Sequence, residues 1–272
     1  MKNQPINYRE IKRKSRFIAS GCGGVGGVGK TTLAVSLADY FRQRGIPVRL
    51  FDAENEPKPH GRLKNYFPEA QVIDIHSKSS LDEVARSAVH DKVLTLVDLP
   101  AGAGPELLEW IKGPIRAFQR QGVPMTLMSL LSSAPQTLTC VLRWVIALDE
   151  LIAGGAKIDH LLTLNHRDPG LFSHLESEAG KAFLETYKPG IIHLASRDPN
   201  IYAMLEGKDL SPVTALELFR AADTDLSARD RLGKLDDIVT MSHIEEDVDQ
   251  ISQEFDKVIH LLLPEADDST QT

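Results

Sequence analysis

The sequence predicts an α/β fold: a mostly parallel, doubly wound sheet flanked by helices, with extra helices towards the C-terminus. Three observations carry the prediction. Short apolar runs rich in Val, Ile and Leu alternate with longer segments of helical period, and each right-handed crossover between parallel strands needs a helix to return the chain. A glycine-rich stretch, "GCGGVGGVGKTTLA", lies between the first such run and the first helical segment. No internal repeat or low-complexity linker divides the 272 residues, and a composition of 42% hydrophobic and 25% charged residues is that of a globular chain able to bury a core.

In chain order, strands are expected near Arg16–Gly21, Pro47–Asp52, Gln71–Ile75, Lys92–Asp98, Pro124–Leu130, Ile158–Asn165 and Ile191–Leu194. Helices are expected at Lys30–Arg44, Leu81–Asp91, Pro105–Gln121, Pro135–Ala153 and Glu176–Tyr187. Further on, Met241, Ile244, Val248, Ile251, Phe255, Val258 and Leu262 alternate by three and four, a narrow apolar stripe on one helix with acidic residues between. The stripe has two readings: a terminal helix laid over the α/β core, or a surface for an oligomer or partner. Its acidic "EEDVDQISQEFDKV" does not look like a membrane-targeting helix, because anionic lipid would repel it.

The formal charge of −7 argues against wholesale coating of nucleic acid. A local basic stretch, "YREIKRKSR", is either a solvated arm or a non-specific contact to DNA phosphates through Arg9, Lys12, Arg13, Lys14 and Arg16. Two cysteines, Cys22 and Cys140, give no disulfide framework and suit a reducing cytosol, so a cytoplasmic protein is expected. The apolar run "FIAS" is far too short for a signal-peptide core, and no membrane insertion is expected.

The glycine-rich stretch fits G-x-x-x-x-G-K-[ST] as Gly24-Val25-Gly26-Gly27-Val28-Gly29-Lys30-Thr31, between a predicted strand and a predicted helix, the context that a phosphate-binding loop requires. Glycine lets backbone N–H groups close around phosphate oxygens where a side chain would obstruct them, and the helix N-terminus adds a favourable dipole. In that arrangement Lys30 reaches the β- and γ-phosphates, Thr31 offers its hydroxyl to Mg2+, and Thr32 helps to hold the α-phosphate.

Such a loop needs an acidic group near the metal. "KVLTLVDLPAGAG" supplies Asp98 at a strand end, on the carboxyl edge where open α/β sheets bind ligands. The plainer reading of Asp98 is a helix cap or turn former. The second strand ends in "VRLFDAENEP", where Asp52 and Glu54, two apart in an extended segment, point the same way. Both carboxylates could then face the phosphates, one supporting the metal and the other orienting the attacking water. Equally, the pair could solvate a loop.

In their order, these motifs resemble those of ParA/MinD-type ATPases, the deviant Walker A, SIMIBI-class group of P-loop proteins, over most of Phe17–Pro212. "GGVGKTT" is similar to that group's P-loop, "LFDAENEP" to its second-strand acidic motif, and "LVDLPAGAG" to its Walker B segment. "LLTLN" resembles the strand whose terminal Asn contacts adenine, which implicates Asn165. "ASRDPNIYAMLEGKDLSP" resembles the loop and helix that cradle the base, which implicates Arg197, Asp198 and Pro199. From the residues alone, Asn165 could as well end a strand in a turn, and "RDPN" could be an ordinary turn.

The resemblance implies the P-loop NTPase fold, with ATP and Mg2+ as cofactors. Lys30, Asp52 and Glu54 become the catalytic candidates, Thr31, Asp52 and Asp98 the metal candidates, and Gly24, Gly26, Gly27, Val28, Gly29 and Thr32 the phosphate cradle. It also implies a slow, partner-stimulated ATPase, an ATP-dependent homodimer, and a role in partitioning, positioning or mobilising a plasmid, DNA or a large assembly. Two departures stand out. Glu54 occupies a position where the family has Asp, and a misplacement of about an ångström can cost on the order of a hundredfold in rate. The family's signature lysine, which reaches across the dimer to the partner's phosphates, is here Val25.

Two alternatives remain open: a nucleotide-dependent binding or oligomerisation module with little hydrolysis, and a small-molecule synthetase or kinase on the same fold, such as the dethiobiotin synthetase-like branch. The expected organisation is a basic arm over 1–15, a P-loop ATPase domain over 16–233, an amphipathic helix over 234–263 and a disordered tail over 264–272.

Overall fold

The computed structural model describes residues 15–22, 26–54, 58–91, 93–102, 104–168 and 170–264. Gly24, Val25, the arm residues Arg9, Lys12, Arg13 and Lys14, and the segment 265–272 lie outside them.

Seven strands run parallel in one sheet: β1 Phe17–Cys22, β2 Val48–Asp52, β3 Gln71–Val72, β4 Leu94–Asp98, β5 Met125–Leu131, β6 Ile158–Asn165 and β7 Gly190–Leu194. Their spatial order is β3-β2-β4-β1-β5-β6-β7, so the chain winds outwards from β1 to one side, returns, and then fills the other. The helices are α1 Lys30–Gln43, α2 Leu63–Tyr66, α3 Lys78–His90, α4 Gly104–Ile111, α5 Ile115–Gln121, α6 Gln136–Ala153 and α7 Glu178–Tyr187. They continue with α8 Pro199–Gly207, α9 Pro212–Ala221, α10 Leu226–Leu232, α11 Ile238–Lys257 and α12 Ile259–Leu262.

Successive strand residues face opposite layers, and both layers are apolar. Ile18, Leu50, Leu96 and Leu130 pack with Leu33, Leu37 and Phe41 of α1 and Phe255 of α11. Phe17, Phe51, Val97 and Leu127 pack with Leu81 of α3, Phe118 of α5 and Trp144 of α6. Each such large side chain contributes roughly 1.5–3 kcal/mol on burial, which is why the strands are rich in Leu, Ile, Val and Phe. A separate core of Leu205, Leu210, Leu216, Leu232 and Ile244 joins α8 to α11.

Several expectations change. Of the third predicted strand, Gln71 and Val72 are in register with β2 and Ile73 N donates to Asp52 O at 2.9 Å, and the strand ends there although Ile75 beyond is buried. The helix expected over Pro105–Gln121 is two helices, interrupted at 112–114, where Pro114 caps α5 and brings no N–H to continue α4. The apolar stripe is buried within this chain from Met241 to Leu262, so it is core and not an oligomer or partner surface. Arg16 leaves the basic arm altogether. It is 2% exposed, pairs with Asp159 at 2.5 Å, and donates to Thr126 and to the backbone carbonyls of Leu261 and Leu263, fastening the chain's last described turn beneath the sheet. Among the described residues no helix is long and apolar enough to cross a membrane.

Candidate functional site

At the carboxyl end of β1 the chain turns through Gly27 and Gly29, with φ of +71° and +95°, left-handed values that favour glycine. Gly29 also cannot carry a Cβ for want of space, since that atom would lie 2.7 Å from Asn165 Nδ2. α1 begins at Lys30 with no side-chain cap, so its first N–H groups point into the space above the sheet as an anion site. That space is a cavity of about 480 Å3. Gly26, Gly27, Gly29, Lys30, Thr31 and Thr32 line its centre, Glu54, Lys58 and Asp98 line one end, and Asn165, Arg167, Arg197, Pro199 and Tyr202 line the other.

The strand order brings the acids there. Asp98, at the end of β4, lies in register with Ser20 on β1 and Asp52 on β2. It is 3% exposed, and burial pushes its carboxyl up to about 7. A hydrogen bond from the Thr31 hydroxyl and the charge of Lys30 oppose that shift, while Asp52 and Glu54 add to it. Among the described residues Asp98 Oδ1 has no hydrogen-bond partner. Lys30 is 7% exposed. Burial pulls its ammonium below the ordinary lysine value, Asp98 and Glu54 oppose this, and Lys58 adds to it.

A buried carboxylate oxygen without a donor, bonded through its other side to a threonine at the start of α1, fits a hard divalent cation such as Mg2+. Among the described residues no three His, Cys, Asp or Glu side chains converge as a metal cage. Mg2+ needs none, since it keeps several waters and takes its remaining ligands from one or two side chains and phosphates.

The sequence paired Asp52 with Glu54, and the structure separates them. The strand ends at Asp52, so the two-residue alternation stops there. Asp52 Oδ1 accepts from Glu54 N at 3.0 Å, and Oδ2 accepts from Lys64 N at 3.0 Å and from Arg62 Nε at 3.2 Å. Its carboxylate is spent on holding α2, and only Glu54 lines the cavity. Asp198 is likewise a helix cap: it accepts from Asn200 N and Ile201 N at the start of α8, and is not part of the cavity wall. Val28 is buried, and its carbonyl accepts from Asn165 Nδ2 at 2.8 Å. Asn165 Oδ1 accepts from Arg167 N, so the residue expected at the base also braces the phosphate loop.

Arg197 and Pro199 line the cavity. The Arg197 guanidinium lies 4.7 Å from the centre of the Tyr202 ring and donates to Ser36 Oγ, and its buried Nη1 has no hydrogen-bond partner among the described residues. Three wall residues were missed: Lys58, Arg167, whose Nη1 donates to Gly27 O at 2.7 Å, and Tyr202. The only signal for them was position, next to motifs already recognised. A larger open groove of about 890 Å3 runs between α3 and the α4–α5 pair, past Leu81, Val89 and Trp110. It has neither the glycine loop nor a buried acid.

A glycine loop closing on a helix N-terminus, with a buried lysine and a buried acid at the next strand end, defines a P-loop nucleotide-binding domain. A sequence profile described as "CobQ/CobB/MinD/ParA nucleotide binding domain" matches residues 20–264, and the chain belongs to that family. The ParA/MinD branch is a family of ATPases. Among solved structures the chain is similar to a chain of the MinC:MinD cell division protein complex of Aquifex aeolicus, at 14% identity over 88% of this chain and 96% of that one, with a TM-score of 0.46. A ParA family ATPase from Chlorobium tepidum TLS is similar at 13% identity over 88% and 99%, TM-score 0.47. A nucleotide-binding protein in complex with ADP from Archaeoglobus fulgidus is similar at 18% identity over 73% and 90%, TM-score 0.43. These likenesses are too distant to support the family assignment, which rests on the profile. No curated protein sequence matches the chain.

Proposed function

We propose that the protein is a Mg2+-dependent ATP-binding protein with slow, partner-stimulated ATPase activity of the ParA/MinD type, which partitions, positions or mobilises a plasmid, other DNA or a large assembly as an ATP-dependent homodimer. The observation that carries the proposal is the convergence of Lys30, Thr31, Glu54 and Asp98 in one cavity at the mouth of the glycine loop. The N–H groups of the loop and the Lys30 ammonium hold the phosphate chain, Thr31 and Asp98 hold the cation, and the Arg197–Tyr202 end receives the base. When bound, Mg2+ neutralises charge on the β- and γ-phosphate oxygens. Glu54 orients a water whose oxygen faces the terminal phosphorus and accepts hydrogen bonds from it as attack begins. The cavity opens at the carboxyl edge of the sheet, where a second copy or a partner protein can complete it.

A second reading, a binding module with little hydrolysis, is favoured by one observation: Glu54 is held in an ion pair with Lys58. Phosphate release separates the two. Glu54→Ala is expected to keep ATP affinity and lower kcat, and Asp98→Ala to weaken the Mg2+ dependence of binding as well. Equal turnover by the unaltered protein and the Glu54 variant would favour the module.

A further inference from the structure

The sheet gives the cavity a direction. Arg197, Pro199 and Tyr202 come from the β7 side, the glycine loop from β1 in the middle, and Glu54 and Lys58 from the far side of β2. A nucleotide with its base against Tyr202 and its phosphates over α1 therefore extends towards the loop after β2. There Lys58 pairs with Glu54 across one helical-turn spacing, with Glu54 mostly buried and Lys58 about half exposed. Lys58 and Lys30 line the same cavity. Lys58 and two carboxylates thus lie at the end of the cavity beyond Lys30, where a terminal phosphate would lie.

We infer that Lys58 is a second phosphate-binding lysine, specific for the terminal phosphate of a nucleoside triphosphate, and that it leaves Glu54 for that phosphate on binding. This deepens the nucleotide-site reading proposed above and rests on it. A triphosphate presents Lys58 with more negative charge than the single carboxylate of Glu54, whereas a diphosphate ends short of it. Transfer of the lysine does two things: it adds a charge-assisted contact that ADP lacks, and it takes the Lys58 charge off the Glu54 carboxylate. Without a terminal phosphate, Lys58 keeps Glu54 occupied. No residue of a second copy is needed for this contact.

The test is competition of ATP and ADP against a fluorescent nucleotide analogue in Mg2+ buffer, with phosphate release measured alongside. Lys58→Met is expected to weaken ATP roughly tenfold while leaving ADP within about twofold, and Lys58→Arg to restore most of the ATP affinity. Glu54→Gln, which removes the competing charge, is expected to bind ATP more tightly while losing turnover. If Lys58→Met keeps the ATP-to-ADP preference of the unaltered protein, or loses both nucleotides equally, Lys58 does not bind the terminal phosphate, while the site itself stands. Failure of the unaltered protein to bind either nucleotide better than Lys30→Ala would overturn both readings.

Discussion

Gly21 offers a way to disturb Lys30 without touching it. The residue sits within β1 at φ +93°, where the register against β5 shifts between Ser20 and Cys22. A Cβ placed there would lie 2.3 Å from Lys30 Cδ and 2.9 Å from its Cγ, against an ordinary carbon contact of about 3.5–4.0 Å. Gly21→Ala therefore forces the lysine stem aside by about an ångström or more, besides holding alanine in a left-handed conformation that costs roughly 1–2 kcal/mol. Gly45→Ala is the matched control: its φ is +63°, and its Cβ would meet nothing within 4 Å. Both variants are expected to melt a few degrees lower, at roughly 2–4 °C per kcal/mol for a chain of this size class. Only Gly21→Ala should also lose ATP affinity, by at least about tenfold, because charge-assisted hydrogen bonds to phosphate are worth about 1.5–3 kcal/mol. Calorimetric titration with Mg·ATP beside thermal melts decides it. Gly21→Ala binding ATP as the unaltered protein does, with the same loss of Tm as Gly45→Ala, would refute the link between the β1 backbone and the lysine.

Two further outcomes follow from the same geometry. Asp198→Ala removes the cap of α8 and should cost about 0.5–2 kcal/mol in denaturant unfolding, while ATP affinity stays within about twofold; a large affinity loss without a stability loss would return Asp198 to the binding site. Asp39, buried beneath α9, accepts from Ser211 Oγ and Val213 N, and its burial pushes it up to about 7 from 3.8. The folded state then holds a proton that the unfolded chain has released, so stability is greatest below about 3.8 and is lost as pH rises through about 7. The steepest slope from this group is about 1.4 kcal/mol per pH unit. Asp98 contributes in the same direction. Asp39→Asn should flatten part of that decline in melts between about pH 4 and 7 at matched ionic strength, the span between the unfolded and folded values, and an unchanged profile would contradict the assignment.

Much of the fold was legible because the sheet is covered on both sides. Leu94–Asp98 and Ile158–Asn165 each hold a buried block, 94–97 and 161–164, in which a threonine is the one polar residue, and the glycine spacing marks where β1 ends and α1 begins. The region after β7 was less legible. α9 and α10 span only 10 and 7 residues, and bury their apolar faces against each other and α11 in a small core of their own. Three residues that backbone chemistry marks in the sequence line the cavity: Lys30 and Thr31 through the loop pattern, Asp98 through its place at a strand end. Asp52 was misread because the two-residue alternation holds only while the chain stays extended, and here the side chain turns back to the amide of Glu54. Lys58 and Arg167 stand on loops, where nothing periodic marks which way a side chain points.

The central claim is that the cavity above β1 and β4 holds the phosphates and cation of ATP. The most direct measurement is the affinity of the purified protein for ATP by calorimetry, with Mg2+ and with a chelator, for the unaltered protein and for Lys30→Ala folded to the same circular-dichroism spectrum. Binding that needs Lys30 and strengthens with Mg2+ is the predicted result. Equal ATP affinity in the two proteins, or binding indifferent to Mg2+, would contradict it.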